Sequence, residues 1–157
     1  MFHQVNPSKV LKGFITFGVM SLSVMASFEH QFRVPTVAHE VEVSEDVAAT
    51  FHLEPNHNPK AGETAQVWFA LTRRGGAIIP LDQCNCKLAV YGQPRQPEDQ
   101  PMMTPTLQAI SAEKYQGIPG ADVVFPKAGS YELELSGTPK KQDDFKAFKL
   151  SYSVTVR

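Results

Sequence analysis

At 157 residues and 42% hydrophobic, the chain is long enough for one domain with a full core and too short for two domains and a linker. A formal net charge of −1 with no basic run gives nothing that holds a phosphate backbone, so nucleic acid is not an expected partner. Two cysteines exclude a disulfide-dense scaffold.

Near the N-terminus stand Lys9 and Lys12, then an uncharged apolar run over residues 13–26, then small residues and the first acid, Glu29. That is the order of a secretory signal peptide, with cleavage expected near Val24, Met25 and Ala26. The run falls short of the roughly 20 residues that span a bilayer, so residues 1–26 are expected to form a signal-like helix that is removed, with a short uncleaved anchor as the alternative. Either way the remainder faces a compartment outside the cytoplasm, and membrane contact is expected only through an uncleaved N-terminal segment. Residues 27–46 are polar and mixed, hold Pro35 and the acidic string HEVEVSED, and read as a linker or loosely attached segment.

From Val47 onward, strand-length apolar blocks alternate with turn signals. The blocks are VAATFHLEP, TAQVWFALT, CKLAVYG, PTLQAIS, ADVVFP, SYELELSG and FKLSYSVTVR; the turns are EPNHNPKAGE, RRGGAIIP, GQPRQPEDQP, GIPGA, PKAGS and GTPKKQDD. Tyr131, Leu133 and Leu135 share one face while Glu132 and Glu134 share the other, and Phe148, Leu150, Tyr152, Val154 and Val156 likewise line up. Twelve prolines, nearly all between blocks, argue against long helices. The reading is all-β: an immunoglobulin-like antiparallel sandwich of about seven strands over residues 47–157. Within it, Gly129 two residues before Tyr131 has the pattern of a tyrosine corner. In TAQVWFALT apolar residues fall on both faces, so that strand is expected to be central and Trp68 to be a core residue.

The two cysteines, Cys84 and Cys86, stand one residue apart in LDQCNCKLAVY. In an extended strand their Cα atoms lie roughly 6.6 to 6.8 Å apart, the upper edge for a disulfide, so a bond needs Asn85 to bend the chain. Three readings stay open: a local disulfide favoured by export, a soft-metal site for copper, and two small residues opening a strand. His52 and His57, five residues apart across a proline bend, and Met102 and Met103 in QPMMTP are the further ligands available to a metal. The bland alternative for the histidines is one half-buried and one solvated ring; for the methionines it is a loop plugging the sandwich edge.

No nucleophile with a neighbouring base is found, nor a zinc helix, nor a glycine-rich phosphate loop, so no catalytic residue is assigned and no enzyme is expected. The turn at Arg73 and Arg74 offers two guanidinium forks for carboxylates or lipid phosphates, with Ile78 and Ile79 as the apolar part of a docking contact. The plain alternative is a solvated turn followed by a strand.

Residues 52–157 resemble the small exported sandwich domains of the YtkA-like, FixH-like and CopC-like group. The shared elements are P…P-K-A-G-E-x-A-x-x-W-F-x-L-T with a following G-G turn, and V-x-F-P-x-A-G-S-Y-E-L-E-L before a last strand. The string FALTRRGGAIIPLDQCNCKLAVY also resembles uncharacterised exported proteins of cyanobacteria. These resemblances imply a periplasmic or thylakoid-lumen address and a non-enzymatic accessory module that contacts a membrane protein or membrane-bound complex. They also imply, as the alternative, copper handling through Cys84 and Cys86 with nearby Met or His. The copper elements of that group, a histidine at the mature N-terminus and M-x-M pairs, have no counterpart here, so the accessory role and no cofactor are the main expectation.

Overall fold

Each of the seven blocks folds as a strand, and an eighth strand precedes them. In chain order they are β1 (Glu40–Ser44), β2 (Val47–Glu54), β3 (Thr64–Arg73), β4 (Cys84–Gly92), β5 (Gln108–Ala112), β6 (Tyr115–Val124), β7 (Gly129–Pro139) and β8 (Phe148–Val156). The computed structural model describes residues 40–157, all within one unit of the chain. The expected signal segment at 1–26, and the expected linker up to residue 39, lie outside the described residues.

Two antiparallel sheets face each other, one in the order β1-β2-β3-β6-β5 and the other β4-β7-β8. Strands β2, β3, β6 and β5 take the places of A, B, E and D, and β4, β7 and β8 those of C, F and G, in an immunoglobulin constant-type sandwich. Strand β1 is an addition at the β2 edge. The alternation that announces β8 is the alternation that builds it: Phe148, Leu150, Tyr152, Val154 and Val156 are buried and the residues between them are exposed. They meet Val47, Ala49, Phe51 and Leu53 of β2 and Val67, Phe69 and Leu71 of β3 in one core. Phe51 and Tyr152 stack with centroids 4.7 Å apart, and the Tyr152 hydroxyl donates to the Ala49 carbonyl at 3.2 Å, tying the two sheets together. Burial, and then the charges of Glu42 and Glu40, push the Tyr152 phenol above its ordinary range, so it remains a donor at physiological pH.

At the head of β7 the Tyr131 hydroxyl donates to the Lys127 carbonyl at 2.8 Å, the hydrogen bond of a tyrosine corner. Gly129, at φ +148°, takes a backbone angle that side chains resist and so sets the entry of the chain into the strand.

Three details depart from the sequence reading. Glu40–Ser44, in the stretch read as a linker or loosely attached segment, pairs along its length with β2, so among the described residues the sheet extends back past Val47 to Glu40. Val41 and Val43 are exposed there, which means the backbone ladder and not burial holds this edge strand. GIPGA, read as a turn, belongs to β6: Ile118 pairs with Ile110, and Pro119 lies one residue past the last β3–β6 pair, Trp68 with Gly120, where that ladder needs no further donor. Trp68 is buried as expected, but outside the sandwich core. It sits on the outer face of β3 with Ala70 and Ile118, in a second cluster against which Ile78, Ile110 and Tyr115 pack. A central strand covered on both faces is the reason its apolar residues run continuously.

Candidate functional site

Pro80 ends the turn after β3, and a single 3-10 turn, Leu81–Gln83, delivers the chain into β4, where the Cys84 N–H donates to the Leu81 carbonyl. Cys84 and Cys86 are joined as a disulfide with their Cα atoms 5.1 Å apart, well inside the separation of an extended strand. The strand is drawn in around Asn85 while keeping its pairing with β7. Cys84 is buried and Cys86 half-buried, both on the inward face. Opposite Cys86 stands Gly137; a Cβ there would lie 2.7 Å from the Cys84 sulfur and 2.6 Å from the Phe148 ring. The glycine makes the room that the disulfide occupies.

Beside this bond lies a cleft of about 510 Å³, walled by Leu81, Leu88, Leu107 and the two cysteines, with Thr104, Thr106, Ser136, Lys87 and Lys140 among its polar residues. It curls around the outer edge of β4, because inward residues (Cys86, Leu88) and outward ones (Lys87, Ala89) both line it. Further along the same edge, the Val90 N–H donates to the Met103 carbonyl at 2.9 Å, and the Val90 carbonyl accepts from the Met102 N–H at 2.8 Å. Since backbone groups alternate sides along an antiparallel strand, Cys86 and Leu88 present theirs on this same side, away from β7. Among the described residues neither has a backbone partner there. Pro105 lies in the segment that forms the facing wall.

Met103 packs against the core and Met102 is half exposed, so the pair diverges and closes the sheet edge. His52 and His57 do come together, Nε2 of His57 lying 3.3 Å from Nδ1 of His52, while the other His52 nitrogen meets Glu54 at 2.8 Å. His52 also stacks on Trp68 with centroids 4.7 Å apart. This group stands on the outer face of the five-stranded sheet, whereas the cysteines face inward from the three-stranded one. The cysteines, histidines and methionines gathered for a metal are therefore not assembled in one place. Among the described residues no group of three or more His, Cys, Asp and Glu is arranged to hold a metal ion.

The arginine turn folds back as read, with the Arg73 N–H donating to Ala77 and Gly75 and Gly76 at positive φ. The Arg73 guanidinium is engaged by the Asp144 carboxylate at 3.3 Å, while Arg74 is exposed. The docking surface expected from this turn loses its apolar half. Ile79 is 1% exposed in the main core, held there by its N–H to the Leu71 carbonyl, and Ile78 packs on the Trp68 cluster.

One charged constellation escaped the sequence reading. Arg95, from the loop after β4, lies over the Tyr91 ring, 3.4 Å from its centroid, and bonds both Glu132 and Glu134, while Lys149 reaches Glu134 at 3.2 Å. The alternation of SYELELSG places both glutamates on the outer face, but nothing local announces the arginine that crosses over them. Neither a protein-family model nor a curated protein sequence matches the chain.

Proposed function

We propose that this is a non-enzymatic accessory module, exported to a periplasm or thylakoid lumen, that binds a membrane protein or membrane-bound complex through the cleft beside the Cys84–Cys86 disulfide. The observation that carries the reading is a cleft with apolar walls and a polar rim that lies along the edge of β4. The signal-like leader supports the address, and the short-loop disulfide suits an oxidising compartment. With Ile79 in the core, the cleft replaces the arginine turn as the main contact.

A photo-crosslinking residue at Thr106, on the cleft, and another at Ser153, on the outer face of β8, test this in membranes of the source cell. A discrete adduct from Thr106 and none from Ser153 is the expected result; no adduct, or the same adducts from both, overturns it. The rival reading, a copper-handling protein, rests on the shared inward face of Cys84 and Cys86. If reduced protein takes up one Cu(I) tightly and Cys84→Ser abolishes uptake, that reading replaces this one.

A further inference from the structure

Resting on the cleft as the binding site, we propose that the Cys84–Cys86 disulfide exchanges with the dithiol of a partner protein docked there. The partner's thiolate attacks the Cys86 sulfur. Both cysteines line the cleft, but they are held differently. Cys84 is 2% exposed, and its sulfur faces Gly137 so closely that a Cβ there would come within 2.7 Å of it. Cys86 is half-buried, so its sulfur is the one an incoming thiolate reaches from the cleft. The bond can open without taking the fold with it. It encloses a single residue, Asn85, and so removes little freedom from the unfolded chain. Strand β4 is held independently of it: Cys84 to Gly92 pair residue by residue with β7, and Leu88 and Val90 anchor the strand in the core.

Exchange runs through thiolates, which nearby positive charge favours. Lys87 and Lys140 are the charged residues lining the cleft, and both are positive. The Lys140 ammonium reaches the Leu81 carbonyl at 3.5 Å, in the turn that leads into Cys84, whose sulfur is the leaving group. In the first step a bond forms between the partner's sulfur and Cys86. The Cys84–Cys86 bond breaks, and its electron pair leaves on Cys84, which takes a proton. In the second step the partner's other thiolate attacks the partner sulfur of this mixed disulfide, and Cys86 leaves in turn and takes a proton. The partner's dithiol is thereby oxidised to a disulfide and the cysteine pair is reduced to two thiols, with two electrons and two protons passing between them. Run backwards, the same steps restore the bond.

The test uses the full exported chain, purified without reductant and kept with a metal chelator, and a short peptide carrying one cysteine. After a rapid acid quench and alkylation at low pH, mass spectrometry is expected to find the peptide on Cys86 and the alkyl group on Cys84. The rate is expected to rise linearly with peptide and to stay unchanged in urea well below the unfolding midpoint. A peptide found on Cys84 instead overturns the proposal. So does a rate that climbs with urea as the unfolded fraction does, because the bond is then opened only in the unfolded chain. In membranes of the source cell, the Cys86 thiol of Cys84→Ala is expected to attack the partner's disulfide form and to hold it as a mixed disulfide that lacks Cys84 to resolve it. Reduction then releases the same protein that Thr106 crosslinks, and Cys86→Ala yields none. Should Cys84→Ala fail to fold, the peptide reaction on the natural chain decides. If Thr106 yields its partner while the peptide reacts only with unfolded chain, exchange falls and the accessory reading stands; if Thr106 yields nothing, the accessory reading itself falls.

Discussion

Gly137 shows how one missing methyl group decides what a strand can hold. Glycine inside a strand costs roughly 0.5 to 1 kcal/mol relative to alanine through the unfolded chain, so a Gly→Ala change begins with a gain of that size. At Gly137 the new Cβ meets the Cys84 sulfur at 2.7 Å and two Phe148 ring atoms at 2.6 and 2.7 Å. The sulfur is tethered and the ring is buried, so neither yields cheaply. Overpacking of this kind costs about 1 to 3 kcal/mol, and it outweighs the backbone gain. Gly137→Ala is therefore expected to lower the stability measured by urea unfolding by about 1 to 2 kcal/mol. In a Cys84→Ala, Cys86→Ala background the loss shrinks, because one of the two obstacles is gone. A substitution that stabilises the disulfide-bonded protein contradicts this account of the packing.

On the outer face of the three-stranded sheet, the loop after β4 is fastened to β7 by Arg95, and β8 to β7 by Lys149. Burial by itself raises the Glu134 carboxyl, but hydrogen bonds from Arg95 and Lys149, together with their charges, outweigh it and hold Glu134 below its ordinary range. Glu134 thus ionises more readily in the folded protein than in the unfolded one. Its contribution is complete above the unfolded glutamate value of about 4.3 and is lost as pH falls through the lower folded value. The stability of the natural protein is expected to fall more steeply below about pH 4.3 than that of Glu134→Gln, read from urea midpoints at neutral and acid pH. Parallel acid limbs for the two proteins count against the interaction. The glutamates of β7 were readable because period two writes a half-buried strand directly into its residues, as it does in β8. The first half of β6 was not, since Gly117, Pro119 and Gly120 imitate a turn ahead of the block that begins at Ala121. Gly120 is there because Ile110 crosses over it, where a Cβ would come within 2.5 Å of the isoleucine methyl. A glycine that makes room and a glycine that makes a bend are the same letter. The site divides in the same way: the cysteine pair is local and visible, but the cleft joins the β4 edge to residues 104–107, Ser136 and Lys140, which only the folded topology brings near. Ile79 sinks into the core through a backbone bond to Leu71 that its own neighbours do not specify.

For the molecule as a whole, the order of strands in the sheets differs from their order in the chain. Strand β3 must find β6, pairing Trp68 with Gly120, and β4 must find β7, pairing Leu88 with Leu135, so both sheets depend on contacts between distant segments. Loop closure has to precede the reward from such contacts, which places sandwiches among the slower folders, in milliseconds to seconds rather than microseconds. The chain carries its own reporter in its single tryptophan. Trp68 stacks on His52 of β2 and stands opposite Gly120 of β6, so its emission reports on the assembly of β2, β3 and β6. Stopped-flow refolding followed by Trp68 fluorescence is expected to show the five-stranded sheet forming on a timescale of roughly milliseconds to seconds. The Cys84–Cys86 link closes a loop with one intervening residue inside the other sheet and restrains almost none of the distance that β3 and β6 must search. Reduced and oxidised protein should accordingly refold at rates within about twofold of each other. A large acceleration on oxidation means that β4 and β7 pair before β3 meets β6 and that the turn at Asn85 seeds the fold; equal rates place the disulfide's role in the finished edge of β4.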